Sequence, residues 1–273
     1  MNTDTSEKGL ESLIVAAMTG VFGRGVAVLG SHSGEEQPAY GSALYVQGDP
    51  NDYDRDHAVD LAKLLDFLCA TQPTAVAQLN LEDDVPARTQ FLHRLQGEIA
   101  KRGVLEVLRQ GIKHGPSSVD LFYGTPSPGN AKAQELFAAN IFSITRQLRY
   151  SKDETQLALD LCLFINGLPI ATFELKNSLT KQTVADAVVQ YQRDRDPREL
   201  LFQFGRCAVH FAVDDQEVRF CTHLKGKDAW FLPFNKGWED GAGNPPNPNG
   251  LKTDYLWREV LTREGLTLSL IHI

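Results

Sequence analysis

The sequence lacks the features of membrane, secreted and disulfide-rich proteins. Its longest apolar runs are too short to span a bilayer, and the first ten residues, MNTDTSEKGL, lack the pattern of a signal peptide. The four cysteines form no C-x-x-C pair, and three lie among apolar, strand-like residues. This predicts buried free thiols and neither disulfides nor zinc ligands. We therefore expect a cytoplasmic protein that does not bind a membrane.

The chain also lacks an excess of positive charge. Its 35 acidic and 27 basic residues give a net charge of −8, which argues against a protein that coats nucleic acid. A DNA enzyme is still compatible, because phosphate contact needs only a local basic face. The basic residues around the central segment form either such a face or the ordinary solvated side chains of a helix and its loops. They are Arg146, Arg149, Lys152, Lys176, Lys181, Arg193, Arg195, Arg198 and Arg206.

Apolar periodicity predicts helices interspersed with strands. Helices are expected over 6–19, 56–70, 86–101, 130–139 and 180–193. Strands are expected over 140–149, in a hairpin over 157–176, and over 206–213 and 217–223. Residues 22–56 are expected to be mostly irregular, and 103–108 form either a short strand or a helix. The order of elements predicts an α/β fold with a mixed central β-sheet flanked by helices and an N-terminal helical part.

The segment GAGNPPNPNG at 241–250 cannot form a helix or a strand, so we expect a loop or linker there. Residues 251–263 are expected to begin another helix. The chain then ends in LSLIHI without a helix cap or polar tail, which suggests a fragment of a longer protein.

The hairpin LALDLCLFINGLPIATFELK is the most informative segment of the sequence. Alternation of side chains places Glu174 and Lys176 on one face of the second strand. A strict two-residue turn at Asn166-Gly167 would turn Asp160 of the first strand to the opposite face. A three-residue loop, or a bulge, would set Asp160 directly opposite Glu174 with Cβ atoms roughly 4.5–5.5 Å apart. We predict the second arrangement.

Two carboxylates at that separation are suited to share one Mg²⁺ ion, and a neighbouring lysine to orient water and offset negative charge. This chemistry suits hydrolysis of a phosphodiester, whose negative charge repels hydroxide. The alternative is a surface hairpin with an ordinary acid and an E-x-K pair. The apolar strands favour the metal site, because a charge among such residues is costly unless it is paired or ligated.

With these residues in place, the chain resembles the N-terminal part of the restriction (R) subunit of type I restriction–modification enzymes. The resemblance covers nearly the whole chain. Its matching segments are 6–20, 53–73, 140–151, 159–177, 186–214 and 231–250. It implies a PD-(D/E)xK nuclease fold, with an endonuclease domain over 1–240 and a linker and truncated following region over 241–273. Within the domain, it implies a catalytic core over 6–20 and 131–235, with a helical and irregular insertion over 22–130.

The resemblance also implies roles for individual residues. Asp160 and Glu174 fill the two acid positions and bind the metal, although Leu159 stands where the motif has proline. Lys176 fills the lysine position, and an acid from the first helix joins the metal site. We predict Glu11 for that role, with Glu7 as the second choice.

On the helix after the lysine, Gln190 fits the glutamine of a Gln-x-x-x-Tyr motif and is predicted to be catalytic. Asp194 stands where that motif has tyrosine, and the phase of Tyr191 favours core packing. Candidate DNA contacts are Arg146, Lys181, Arg193 and Arg195, although Arg146 and its neighbour Gln147 either contact DNA or brace the sheet.

The function implied is Mg²⁺-dependent cleavage of double-stranded DNA, in a complex with methyltransferase and specificity subunits. One alternative is a docking module that holds the methyltransferase core without chemistry. Another is a stand-alone nuclease, against which the Asn/Pro segment and the abrupt end argue.

The whole R subunit also carries ATP-driven motor domains, but this chain has no G-x-x-x-x-G-K-[ST] run to bind nucleotide phosphates. We therefore expect no ATP hydrolysis by the purified 273-residue chain. A phosphate-release assay with and without DNA checks this, and turnover above a buffer control would contradict it.

Overall fold

The apolar strands predicted over 140–176 form the centre of a mixed sheet in the computed structural model. The model describes residues 7–21, 44–82, 85–154, 156–177 and 181–272. Most of the predicted irregular segment 22–56 therefore lies outside the described residues.

Eight α-helices occur in these ranges, and none of them is long and apolar enough to cross a membrane. They are α1 (Glu7–Thr19), α2 (Leu61–Thr71), α3 (Pro73–Leu79), α4 (Val85–Arg102), α5 (Val104–Gln110), α6 (Ala131–Ala138), α7 (Val184–Arg193) and α8 (Arg263–His272). All five predicted helices are confirmed, and α5 settles the open assignment of 103–108. Helix α2 begins later than predicted, because the Asp60 side chain caps it by accepting from the Lys63 amide at 3.0 Å.

The same ranges contain eleven strands of two to eight residues. They are β1 (Val46–Gln47), β2 (Tyr53–Asp54), β3 (Val59–Asp60), β4 (Ile112–His114), β5 (Ser117–Val119), β6 (Phe142–Arg149), β7 (Ala158–Ile165), β8 (Leu168–Leu175), β9 (Val209–Val213), β10 (Val218–Cys221) and β11 (Leu232–Pro233). Seven of them form one sheet in the order β1-β6-β7-β8-β9-β10-β11. Strands β1–β6 and β8–β9 pair in parallel and the other neighbours pair antiparallel, so the predicted mixed sheet is confirmed.

Alternating side chains divide the apolar core between the two faces of this sheet. Leu161 and Leu163 of β7 belong to the large cluster that also contains Ile14 of α1. Cys162 and Phe164 point to the other face, in the cluster that contains Tyr191 of α7. Strand β8 is buried at every position because it lies between two neighbouring strands and is covered on both faces. Helix α7 makes the crossover from β8 to its parallel neighbour β9.

The apolar core continues past the predicted boundary at residue 240. A π-helical turn over Leu256–Val260 and helix α8 add side chains to the same cluster as α1. The Tyr45 hydroxyl donates to the Leu261 carbonyl at 2.8 Å. Within the predicted linker, Asn244 is buried and its side chain donates to the Gln216 carbonyl at 3.0 Å. Residues 241–272 therefore pack as part of the same unit as the sheet.

The tip of the β7–β8 hairpin is a two-residue turn that presses against the start of α2. Asn166 and Gly167 have φ values of 51° and 80°, as a type I′ turn requires. The Asp60 amide donates to the Gly167 carbonyl at 2.9 Å. A Cβ atom added at Gly167 would lie 2.4 Å from the Asp60 carbonyl oxygen and 2.7 Å from the Leu64 nitrogen. Glycine is therefore required both by conformation and by this close approach.

We predict that Gly167→Ala lowers the free energy of unfolding by more than the ~1–3 kcal/mol of a strained backbone conformation. The matched control is Gly129→Ala, where φ is +84° but no atom lies within 4 Å of the added Cβ. Urea unfolding of the two variants measures the difference. Equal losses would show that contact with α2 contributes nothing.

Candidate active site

A bulge in β8 sets the register of the hairpin strands. Next to the turn, Ile165 pairs with Leu168 and Phe164 with Pro169. After the bulge, Leu163 pairs with Ala171, so Ile170 is the extra residue on β8. The pairing continues to Leu161 with Phe173, and one further step sets Asp160 opposite Glu174. The predicted loop or bulge is thus confirmed as a two-residue turn followed by a bulge.

Asp160 is fixed across the two strands by a hydrogen bond to the backbone. Its Oδ2 atom accepts from the amide of Leu175 at 2.7 Å. The side chain is only half-buried, so this end of the hairpin remains within reach of solvent. The carboxylate is close enough to Glu174 to raise the pKa of that residue.

Glu174 is a fully buried acid with one oxygen bonded and one unbonded. Its Oε1 atom accepts from Nε of Arg195 at 2.6 Å. Its Oε2 atom has no hydrogen-bond partner among the described residues. Burial raises the pKa of Glu174 to about 8, Arg195 and Lys176 oppose that shift, and Asp160 adds to it. An unbonded carboxylate oxygen in such a place is costly unless a cation meets it.

Lys176 completes the group predicted from the hairpin. Its side chain is 8% exposed and lies on the same face as Glu174, two residues along the chain. Its amide donates to the Val213 carbonyl at 2.8 Å, which extends the contact between β8 and β9. The structure thus brings together the first acid, the second acid and the lysine.

Arg195 has a different place from the predicted one. It was predicted to contact DNA, but its side chain is 4% exposed and bonded to Glu174. Its other guanidinium nitrogens donate to the Tyr150 hydroxyl at 3.2 Å and to the Ala158 carbonyl at 2.8 Å. The signal that sequence reasoning missed is its position four residues after Tyr191, on the continuation of the core stripe of α7.

Glu11 is buried on α1 but is not joined to the two hairpin acids. Arg146 Nε bonds to one of its carboxylate oxygens, and Gln147 Nε2 donates to the other at 2.7 Å. Among the residues the structure describes, no three His, Cys, Asp or Glu side chains are grouped to hold a metal ion. Arg146 and Gln147 therefore brace α1 against β6. The side chain of Glu7, the second choice, is not described.

The remaining candidates lie around α7. Tyr191 is fully buried, which confirms core packing. Gln190 is half-buried beside it, and its catalytic role stays a prediction. Lys181 and Arg193 are exposed, as contact with DNA requires, and their role also stays a prediction.

A buried network of hydrogen bonds close to Glu174 holds α7 against β8. The Thr172 hydroxyl bonds to the Tyr191 hydroxyl at 2.8 Å and to His210 Nδ1 at 2.7 Å. Thr172 lies two residues before Glu174, and Tyr191 four residues before Arg195. The network therefore sets the spacing between the acid and its guanidinium partner. Burial lowers the pKa of His210 from 6.5 to about 3, so the imidazole is neutral.

One comparison with known proteins identifies a family. The family model described as type I restriction enzyme R protein N terminus matches residues 74–229, more than half of the chain. This range contains Asp160, Glu174, Lys176 and Arg195 but not Glu11. A search of curated proteins finds no match.

We predict that His210 makes the protein less stable in acid. Because its pKa is depressed in the folded state, the unfolded chain binds more protons between about pH 6.5 and about pH 3. As the pH is lowered through that window, the free energy of unfolding should fall by up to ~1.4 kcal/mol per pH unit. Urea unfolding at pH 7.5 and 5.5 tests this against His210→Gln, which keeps a hydrogen-bonding group but does not titrate. An unchanged pH dependence in the variant would contradict the assignment.

Proposed function

The chain belongs to the family of type I restriction enzyme R protein N termini, and from this premise we propose that it is the nuclease region of such a subunit. It would cleave double-stranded DNA by Mg²⁺-dependent hydrolysis of a phosphodiester bond. The family supports the restriction system, and the acids of the hairpin support the chemistry.

The observation that carries the proposal is the Oε2 atom of fully buried Glu174, opposite Asp160, for which the described part of the chain offers no hydrogen-bond partner. Both groups offer the hard oxygen ligands that Mg²⁺ prefers, and this ion needs only one or two carboxylates besides water and phosphate oxygens. Asp160 and Glu174 therefore fit a magnesium site without a third acid. A contribution from Glu11 would require it to leave Arg146 and Gln147.

Bound Mg²⁺ supplies neutralisation of the phosphate and a lower pKa for the attacking water. The protein's own groups do the positioning. The Leu175 amide holds the Asp160 carboxylate, and Arg195 holds that of Glu174. The Lys176 ammonium, on the same face, orients the water and offsets the charge that develops on the phosphate.

The surroundings of the acids support the proposed partners and compartment. Lys181 and Arg193 are exposed, so their charges are available for phosphate contact. The four cysteines are free, in keeping with the reducing cytoplasm we propose. The DNA would be presented by the methyltransferase and specificity subunits, with ATP used only by the whole R subunit.

A second role, as a docking module for the methyltransferase core, is favoured by large exposed aromatic side chains. Phe204, Trp230 and Trp238 are 66%, 76% and 46% exposed. Aromatic residues of this kind are enriched at the energetic centres of protein interfaces. This role is compatible with cleavage. It would be identified by substitutions of these aromatic residues that abolish assembly with the methyltransferase core and leave Asp160 and Glu174 unchanged.

We predict that Lys176→Ala reduces cleavage at least ~100-fold, as loss of a group that stabilises transition-state charge does. The assay is nicking of supercoiled DNA by the reconstituted complex in Mg²⁺, with EDTA as the metal-free arm. Lys132→Ala, an exposed lysine on α6, is the control and should cleave normally. Equal cleavage by Lys176→Ala and wild type, or cleavage in EDTA, would refute the proposed function.

A further inference from the structure

We propose that Arg195 stands in the place of a second metal ion and so limits the site to one divalent cation. The inference rests on the proposed function and deepens it, because it specifies how many ions the acids bind. It follows from the position of one guanidinium group, from the charge it carries and from the small number of acids nearby.

The guanidinium is held from three directions. It bonds to the Glu174 carboxylate on β8, to the Ala158 carbonyl on β7 and to the Tyr150 hydroxyl just after β6. The planar group offers its donors in a fixed fork, so these bonds fix its orientation as well as its distance. Since the side chain is 4% exposed, it cannot rotate out into solvent. Arg195 is therefore a permanent part of the site.

This position blocks one side of the Glu174 carboxylate. In sites with two metal ions, the ions lie about 3.5–4 Å apart and clamp the attacking and leaving oxygens of one phosphate. Arg195 Nε lies 2.6 Å from Oε1, the distance of a strong charge-assisted hydrogen bond. A dication on that side would meet a fixed positive charge in a poorly solvated place. Only the Oε2 side of Glu174 remains for a metal ion.

The small number of acidic side chains near Glu174 also favours a single metal ion. Within the described ranges, no three acid, histidine or cysteine side chains are grouped to bind a metal ion. The buried acid predicted to join the metal, Glu11, has both oxygens bonded to Arg146 and Gln147. Two ions would have to share the two hairpin carboxylates, one of which already gives an oxygen to Arg195.

The test counts Mn²⁺ ions bound per chain, without DNA, by electron paramagnetic resonance titration. We expect one ion for the wild-type chain and loss of that ion in Glu174→Gln. Two ions that both depend on Glu174 would overturn this inference and leave the proposed nuclease standing. No Glu174-dependent ion would overturn the proposed function itself.

Variants of the arginine test its part directly. In Arg195→Met the count should rise from one to two, whereas Arg195→Lys, which keeps the charge, should stay at one. Arg198→Met is the matched control, because Arg198 is exposed and its side chain pairs with Asp196 on the same surface loop. Circular dichroism confirms folding, and if Arg195→Met does not fold, the wild-type count decides alone. A folded Arg195→Met that still binds one ion would contradict the role of Arg195.

Discussion

The register of two strands decides which chemical groups meet in this protein. Because side chains alternate along a strand, a shift of one residue exchanges the face of every group beyond it. The extra residue at Ile170 makes that shift within β8, after a turn that alone would have separated the acids. Asp160, Glu174 and Lys176 thus share a face without any change to the tight turn that packs against α2.

The burial of Glu174 imposes the next constraint. A carboxylate with no exposure, and with one oxygen that no described residue bonds, is unfavourable in the free protein, and burial accordingly raises the pKa of Glu174 to about 8. Arg195 offsets part of this cost by its bond to Glu174. The hydrogen bonds of Thr172 with Tyr191 and His210 hold α7 against the sheet and so keep Arg195 next to the carboxylate. The fold holds the carboxylate ready at the expense of its own stability, as functional sites commonly do.

Much of this arrangement could be predicted from local pattern. The five helices, the hairpin and the joining of the three site residues followed from periodicity and turn chemistry, which depend on neighbours in sequence. Arg195 and Glu11 were harder, because their partners lie far away in the sequence, in or next to the strands of the central sheet. Charge alone also does not distinguish an exposed arginine from a buried one. The Asn/Pro segment contains neither helix nor strand, as predicted, and it shows the same limit of local pattern. Its composition excludes helix and strand, but it says nothing about burial, which hydrogen bonds such as that of Asn244 determine.

The packing of the C-terminal residues matters for anyone who divides the chain. A fragment ended at residue 240, where composition suggests a boundary, would lose Tyr255, Leu256, Trp257 and Leu261 from the apolar cluster that contains Ile14. Apolar side chains of the first helix would then be exposed to water. Truncation at residue 240 would therefore yield a polypeptide that aggregates and not a minimal domain.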